Sequence, residues 1–177
     1  MKKALLAVLV GVFSAVAIPV ASAGATAPYC GITWGSLPKA AGNLTSAQVT
    51  NVRTGQDGCY DRMVVDLNGP ANGYNVQYVT DVYAEGSGQL IPLQGGAKLN
   101  IVVKNPAYDP SGHATYSGIV GQPLPGVNVA GYQTFREAKF AGSFEGQTTI
   151  GLGVRARLPF RVFTLGNRLV IDVANYW

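Results

Sequence analysis

Asp109, Ser111 and His113 bring a carboxylate, a hydroxyl and the chain's single imidazole within five positions. These are the residue types of a nucleophilic triad, but a working triad gathers its members from separate elements, and no Gly-x-Ser-x-Gly elbow is present. His113 therefore reads as a solvated loop histidine. A glycosidase needs two facing carboxylates. The three glutamates, Glu85, Glu137 and Glu145, fall in a turn or near strand ends. Asp66 and Asp172 each close an Arg-x-Val-x-Asp segment, 62–66 and 168–172, and are assigned as structural partners of Arg62, Arg168 or Arg161 on neighbouring strands. Two cysteines and one histidine make a poor metal set, and Gly151-x-Gly153 lacks the strand-to-helix setting of a phosphate loop. The sequence thus assigns no catalytic residue, no metal and no cofactor.

Binding chemistry is better represented. A carbohydrate site combines aromatic faces with a few polar groups, and arginine forks grip anions. Tyr108, Asp109, Tyr116, Tyr132, Arg136, Arg155 and Arg157 are the candidate ligand-binding residues. Tyr74 and Tyr78 alternate with Val76 and are assigned to the core; Trp177 either caps the body or lies exposed.

The elements that must position these groups are strands. Met63, Val65 and Leu67 point to one side of the first repeat segment, and Leu169, Ile171 and Val173 do so in the second, the period of a strand with one buried face. Further strands are expected at 48–53, 74–82, 89–93, 99–103, 129–140, 143–154 and 160–164. Turns fall at 54–58, 68–73, 85–88, 95–96, Gly142 and 166–167. Gly146, Gly151 and Gly153 mark bulges or close approaches. Residues 105–126, with four prolines, hold no regular pattern; so long an irregular stretch is either mobile or functional. A short turn near Ser46 is the only helix entertained. About eight or nine strands, mostly antiparallel, predict an all-β, two-sheet antiparallel β-sandwich.

Lys2 and Lys3, an uncharged run from Ala4 to Val20 and the Ala21-Ser22-Ala23 site read as a signal peptide over 1–23, with the mature start at Gly24. An uncleaved anchor is the rival reading; the Ala-rich composition, Gly11 and Pro19 favour removal and no membrane insertion afterwards. Ala27-Pro28-Tyr29 before Cys30 does not suit a lipid-anchor site. The remaining 154 of the 177 residues suit one domain, with 24–46 irregular and 47–177 forming the sandwich. Eleven basic residues then face nine acidic ones, without a Lys/Arg cluster, which argues against a nucleic-acid partner. In an oxidising compartment Cys30 and Cys59 form a disulfide that ties the N-terminal segment to the first core strand, letting Trp34 and Leu37 pack onto the body.

The two Arg-x-Val-x-Asp strands, the Gly-Tyr-x-Val-x-Tyr segment at 73–78 and the tail Leu158-Pro159-Phe160-Arg161-Val162-Phe163 together resemble the AMIN-like domain of secreted actinobacterial proteins. That domain is related to the AMIN module of cell-wall amidases and secretins. The segments at 30–35 and 58–62 are similar to its stand-alone secreted form. The resemblance implies a β-sandwich and a role in binding or localisation at the envelope, without the amidase's catalytic domain. The expected protein is a secreted, extracellular or wall-associated monomer that binds a cell-wall glycan such as peptidoglycan or a neighbouring envelope protein through 105–126 and adjacent strands. Two alternatives remain: a small hydrolase or inhibitor using the same loop, and a structural domain that pairs with an envelope protein through a sheet edge.

Overall fold

The computed structural model describes residues 27–177. The signal segment and the cleavage site lie outside the described residues.

Two main antiparallel sheets face each other. In chain order the strands are β1 (Lys39–Ala41), β2 (Val49–Gln56), β3 (Tyr60–Leu67), β4 (Tyr74–Val79), β5 (Val82–Tyr83), β6 (Leu90–Ile91), β7 (Ala97–Val103), β8 (Phe135–Phe144), β9 (Gln147–Val154), β10 (Phe160–Leu165) and β11 (Arg168–Ala174). One sheet runs β1-β4-β7-β9-β8, the other β10-β11-β3-β2, and β5-β6 is a separate hairpin. This is the β-sandwich that the alternation predicted. The two repeat segments are β3 and β11, paired side by side. Met63, Val65, Leu67, Leu169, Ile171 and Val173 are all buried, and meet Leu99, Ile101, Ile150 and Leu152 of the other sheet in one core.

Several boundaries differ from expectation, each for a local reason. The predicted turn at 54–58 is shorter, because Thr54, Gly55 and Gln56 continue β2 opposite Met63, Arg62 and Asp61. The reversal is made by Asp57 and Gly58, where the Asp57 carboxylate accepts the Cys59 N–H at 3.0 Å. The expected strand through Val82 stops at Val79; the chain leaves the sheet and folds β5-β6 over its outer face. Val82, Ala84, Ile91 and Ala141 form a second small core there. Gly151 and Gly153 make this third layer possible: a Cβ on Gly151 would sit 2.8 Å from Leu93, and one on Gly153 would sit 1.9 Å from the Gln94 carbonyl. The strand expected from Val129 begins only at Phe135, after a turn in which the Tyr132 N–H donates to the Val129 carbonyl. Gly142 is a bulge inside β8 rather than a turn. Glu145 and Gly146, both at positive φ, make the two-residue hairpin that splits the predicted 143–154 strand.

The N-terminal segment is less irregular than expected. β1 pairs with β4 as an edge strand, and the single helical turn among the described residues is a 3-10 turn at Tyr29–Gly31 rather than near Ser46. The Cys30–Cys59 disulfide is formed. Closing its 29-residue separation contributes about 3–4 kcal/mol in the chain-entropy model. Trp34 packs against Tyr60 as expected, whereas Leu37 points to solvent, 72% exposed.

Candidate functional site

Residues 105–126 lack strands, as expected, yet they are bound closely to the body. Asn105 is buried, and its amide donates to Thr45 Oγ1 and the Ala47 carbonyl. Farther on, Gly121, Gln122 and Leu124 exchange backbone hydrogen bonds with Phe140 and Ala138, so the segment runs along the β8 edge. That cover removes a free sheet edge.

The polar groups of this segment serve its own turns. The Asp109 Oδ1 accepts the Ser111 and His113 N–H groups, both at 2.9 Å, and Oδ2 lies 3.3 Å from His113 Nδ1. These bonds, that from the His113 N–H foremost, hold the Asp109 carboxyl below its usual range. The His113 side chain is 81% exposed. Among the hydrogen bonds of the described residues none joins the Ser111 hydroxyl to His113, so the geometry gives a capped turn.

The seven candidate ligand-binding residues do not share one site. Tyr108 accepts the Gly146 N–H at its hydroxyl, fastening the loop to the β8-β9 hairpin. Tyr116 is a core residue: it is 5% exposed, its ring lies 5.8 Å from Phe140, and burial pushes its hydroxyl up to about 12. These two line a shallow groove with Phe140 and Gly118. Tyr132 stacks on Phe135 and bonds Thr54 through its hydroxyl. Arg136 donates to the carbonyls of Tyr132, Gln133 and Phe135, closing the turn before β8. Arg155 donates to the Asn175 carbonyl and lies over the Tyr176 ring. Tyr116 also borders an open pocket of about 430 Å³ beside Thr50 and Asn51, and Arg157 stands in a further cleft.

That cleft, of about 590 Å³, lies where β4 ends and β7 begins, beside the 155–158 crossing from one sheet to the other. Tyr78, Thr80, Gly95, Gly96, Lys98 and Arg157 line it. The glycines let the 95–96 turn lie against the crossing; a Cβ on Gly95 would meet the Val154 carbonyl at 2.5 Å, and Gly95 has φ +121°. Tyr78 anchors the crossing by donating to the Leu158 carbonyl at 2.9 Å and accepting its N–H at 3.0 Å. Burial pushes the Tyr78 hydroxyl up to about 12, so it stays a neutral donor. The Arg157 guanidinium sits 5.2 Å from the Tyr78 ring centroid and donates to the Ser36 carbonyl. Lys98 is paired with Asp81 at 2.6 Å. Trp177, which is exposed, donates from its indole to the Arg157 carbonyl at the same crossing. The cleft thus has an aromatic wall, hydroxyl and backbone groups, and an arginine that no carboxylate among the described residues neutralises. Its size and lining suit one or two sugar units or a short acidic peptide.

Sequence reasoning missed Tyr78 and Lys98 as lining residues. Alternation with Val76 placed Tyr78 on a core face, and Lys98 fell just before the strand expected at 99–103; the cleft itself arises from how two strand ends meet a crossover, a long-range feature. The Gly95-Gly96 pair was the available signal.

The assigned structural pairs are formed. Asp172, fully buried, accepts from Arg62 Nε at 2.6 Å and Arg161 Nε at 2.8 Å. Asp66 pairs with Arg53 at 2.9 Å, a partner the sequence reading did not name, and more loosely with Arg168 at 3.7 Å.

The fold and the site define a disulfide-stapled β-sandwich module with a surface cleft, and the disulfide fits an extracytoplasmic setting. The chain belongs to the AMIN-like domain family, which matches residues 47–175. No curated protein and no solved structure matches it.

Proposed function

We propose that this protein is a secreted envelope module that recognises peptidoglycan, without acting on it, through the Tyr78–Arg157 cleft. One observation carries the reading: a cleft of about 590 Å³ pairs an aromatic wall with an arginine that has no carboxylate partner among the described residues. Sugar rings pack on such a wall, and the carboxylates of wall peptides suit the guanidinium. Residues 105–126 support the body in this reading, and do not form the ligand surface.

The test is co-sedimentation with purified peptidoglycan stripped of attached polymers. The protein is expected to be retained, and Arg157→Ala to lower retention about tenfold, the usual scale for losing one charge-assisted contact. Asp109→Ala should leave retention unchanged. Retention no better than that of an unrelated secreted domain would overturn the proposal.

A further inference from the structure

The outer face of the four-stranded sheet is crossed by three rungs. Register aligns Arg161, Asp172, Arg62 and Gly55 in the first; Phe163, Val170, Val64 and Arg53 in the second; Leu165, Arg168, Asp66 and Asn51 in the third. The face therefore carries four arginines against two aspartates and no lysine. Among the described residues, eleven basic groups face nine acidic ones, and away from this face the count is seven of each. The whole surplus of positive charge in the described chain lies on one side of one sheet.

The arginines are also held in place. The Arg161 guanidinium lies 4.4 Å from the Trp34 ring centroid, 5.1 Å from Phe163 and 5.6 Å from Tyr60. Its Nε is fixed by the buried Asp172 carboxylate. Its two terminal nitrogens make no hydrogen bond among the described residues, and the side chain is 40% exposed. Arg168, 49% exposed, has only its loose contact to Asp66. Stacking and a single bond thus orient one fork while leaving its outer edge free, and a second arginine stands nearly free.

Arg161 and Arg168 are two rungs apart, about 14 Å along the strands at roughly 3.4 Å per residue. No single small anion spans that distance, so the occupant is an extended chain of anions. We infer that this face docks a linear, phosphodiester-linked polymer of the cell envelope. Each phosphodiester offers two oxygens to one guanidinium fork, and the units between phosphates let successive charges meet successive rungs. Single-stranded nucleic acid shares the linkage but draws much of its affinity from base stacking on free aromatic faces. Here the Trp34, Tyr60 and Phe163 rings are already covered by guanidinium groups.

The probe is soluble poly(glycerol phosphate), titrated against the purified protein at two salt concentrations. Binding is expected, and it should weaken several-fold between 50 and 200 mM salt, in keeping with roughly two phosphate contacts on a flexible strand. Arg168→Gln should weaken it several-fold at an unchanged unfolding temperature, since its 3.7 Å pair contributes little to stability. Arg161→Gln combined with Arg168→Gln should remove it. Arg136→Gln and Arg157→Ala, both off this face, should leave it intact. Absence of binding, indifference to Arg168→Gln, or equal binding of polygalacturonate or of single-stranded DNA would each overturn the inference. Because the cleft is tested on stripped peptidoglycan, either site can fail without the other.

Discussion

The outer face of the four-stranded sheet and the 105–126 segment both look polar in the sequence, and the structure uses their polarity in opposite ways. On the sheet, alternation sends every second residue outward, and antiparallel register then lines those residues up across strands. Arg161, Asp172 and Arg62 meet although β3 and β11 are about a hundred positions apart. In the proline-rich segment there is no ladder to satisfy the backbone, so side chains do it: Asp109 caps two N–H groups within four residues of itself. Long-range pairing concentrates charge into a surface. Local capping consumes it.

The largest expected effect follows from that difference. Asp172 is fully buried between two arginines, whereas Asp109 is partly exposed in a turn. Asp172→Asn strands two guanidinium groups against aromatic rings and is expected to cost about 3 kcal/mol, the low end for breaking a buried pair because both arginines retain some solvent. Asp109→Asn should leave the urea midpoint unchanged. Equal midpoints for the two variants would show that the outer face is no more tightly organised than the loop.

A second buried carboxylate sharpens the comparison. Asp61 points inward from β3, and its Oδ2 accepts the N–H groups of Thr134 and Phe135 at 2.6 and 2.8 Å, fixing the start of β8. Unlike Asp172 it has no arginine in contact. Burial raises its pKa, outweighing those two bonds and the more distant Arg136 charge. The folded protein therefore holds the Asp61 proton more tightly than the unfolded chain does. That contribution to stability is fully present below the unfolded value near 3.8 and is lost as pH rises through the higher folded value. Relative to Asp61→Asn, the wild type should lose stability over that acidic window, by no more than about 1.4 kcal/mol per pH unit. Parallel melting curves for the two proteins from pH 3 to 7 would refute it.

What was legible in the sequence divides along the same line. The strands whose faces alternate, 62–67 and 168–173, gave the core and the carboxylate partners, because period and register are local rules. The disulfide followed from cysteine count and compartment. The third layer was not legible: Val82 continued the alternation of β4, and nothing local says that the chain leaves the sheet at Thr80. Only Gly151 and Gly153, read as close-approach positions, hinted at what they make room for. The cleft was hidden for a similar reason, since Tyr78 and Arg157 are brought together by a crossover between sheets. The Arg161–Trp34 stack was hidden too, because Trp34 reaches the sheet only through the arm that the disulfide holds.

The smallest effect contrasts a tyrosine of the 105–126 segment with one in the turn just before β8. Tyr116 and Tyr132 both looked like ligand aromatics, and both pack against the core. Their hydroxyls differ. That of Tyr132 bonds Thr54 Oγ1 at 3.2 Å, while that of Tyr116 is buried and makes no hydrogen bond among the described residues. Removing an unsatisfied buried hydroxyl relieves a desolvation cost, whereas removing a bonded one gives up the bond. Tyr116→Phe is therefore expected to stabilise by up to about 1 kcal/mol, and Tyr132→Phe to destabilise by a similar amount. Chemical denaturation resolves the two signs. If Tyr116→Phe destabilises instead, the hydroxyl has a polar partner at the 105–126 surface, and the contrast between a consumed loop and a charged sheet would have to be redrawn there.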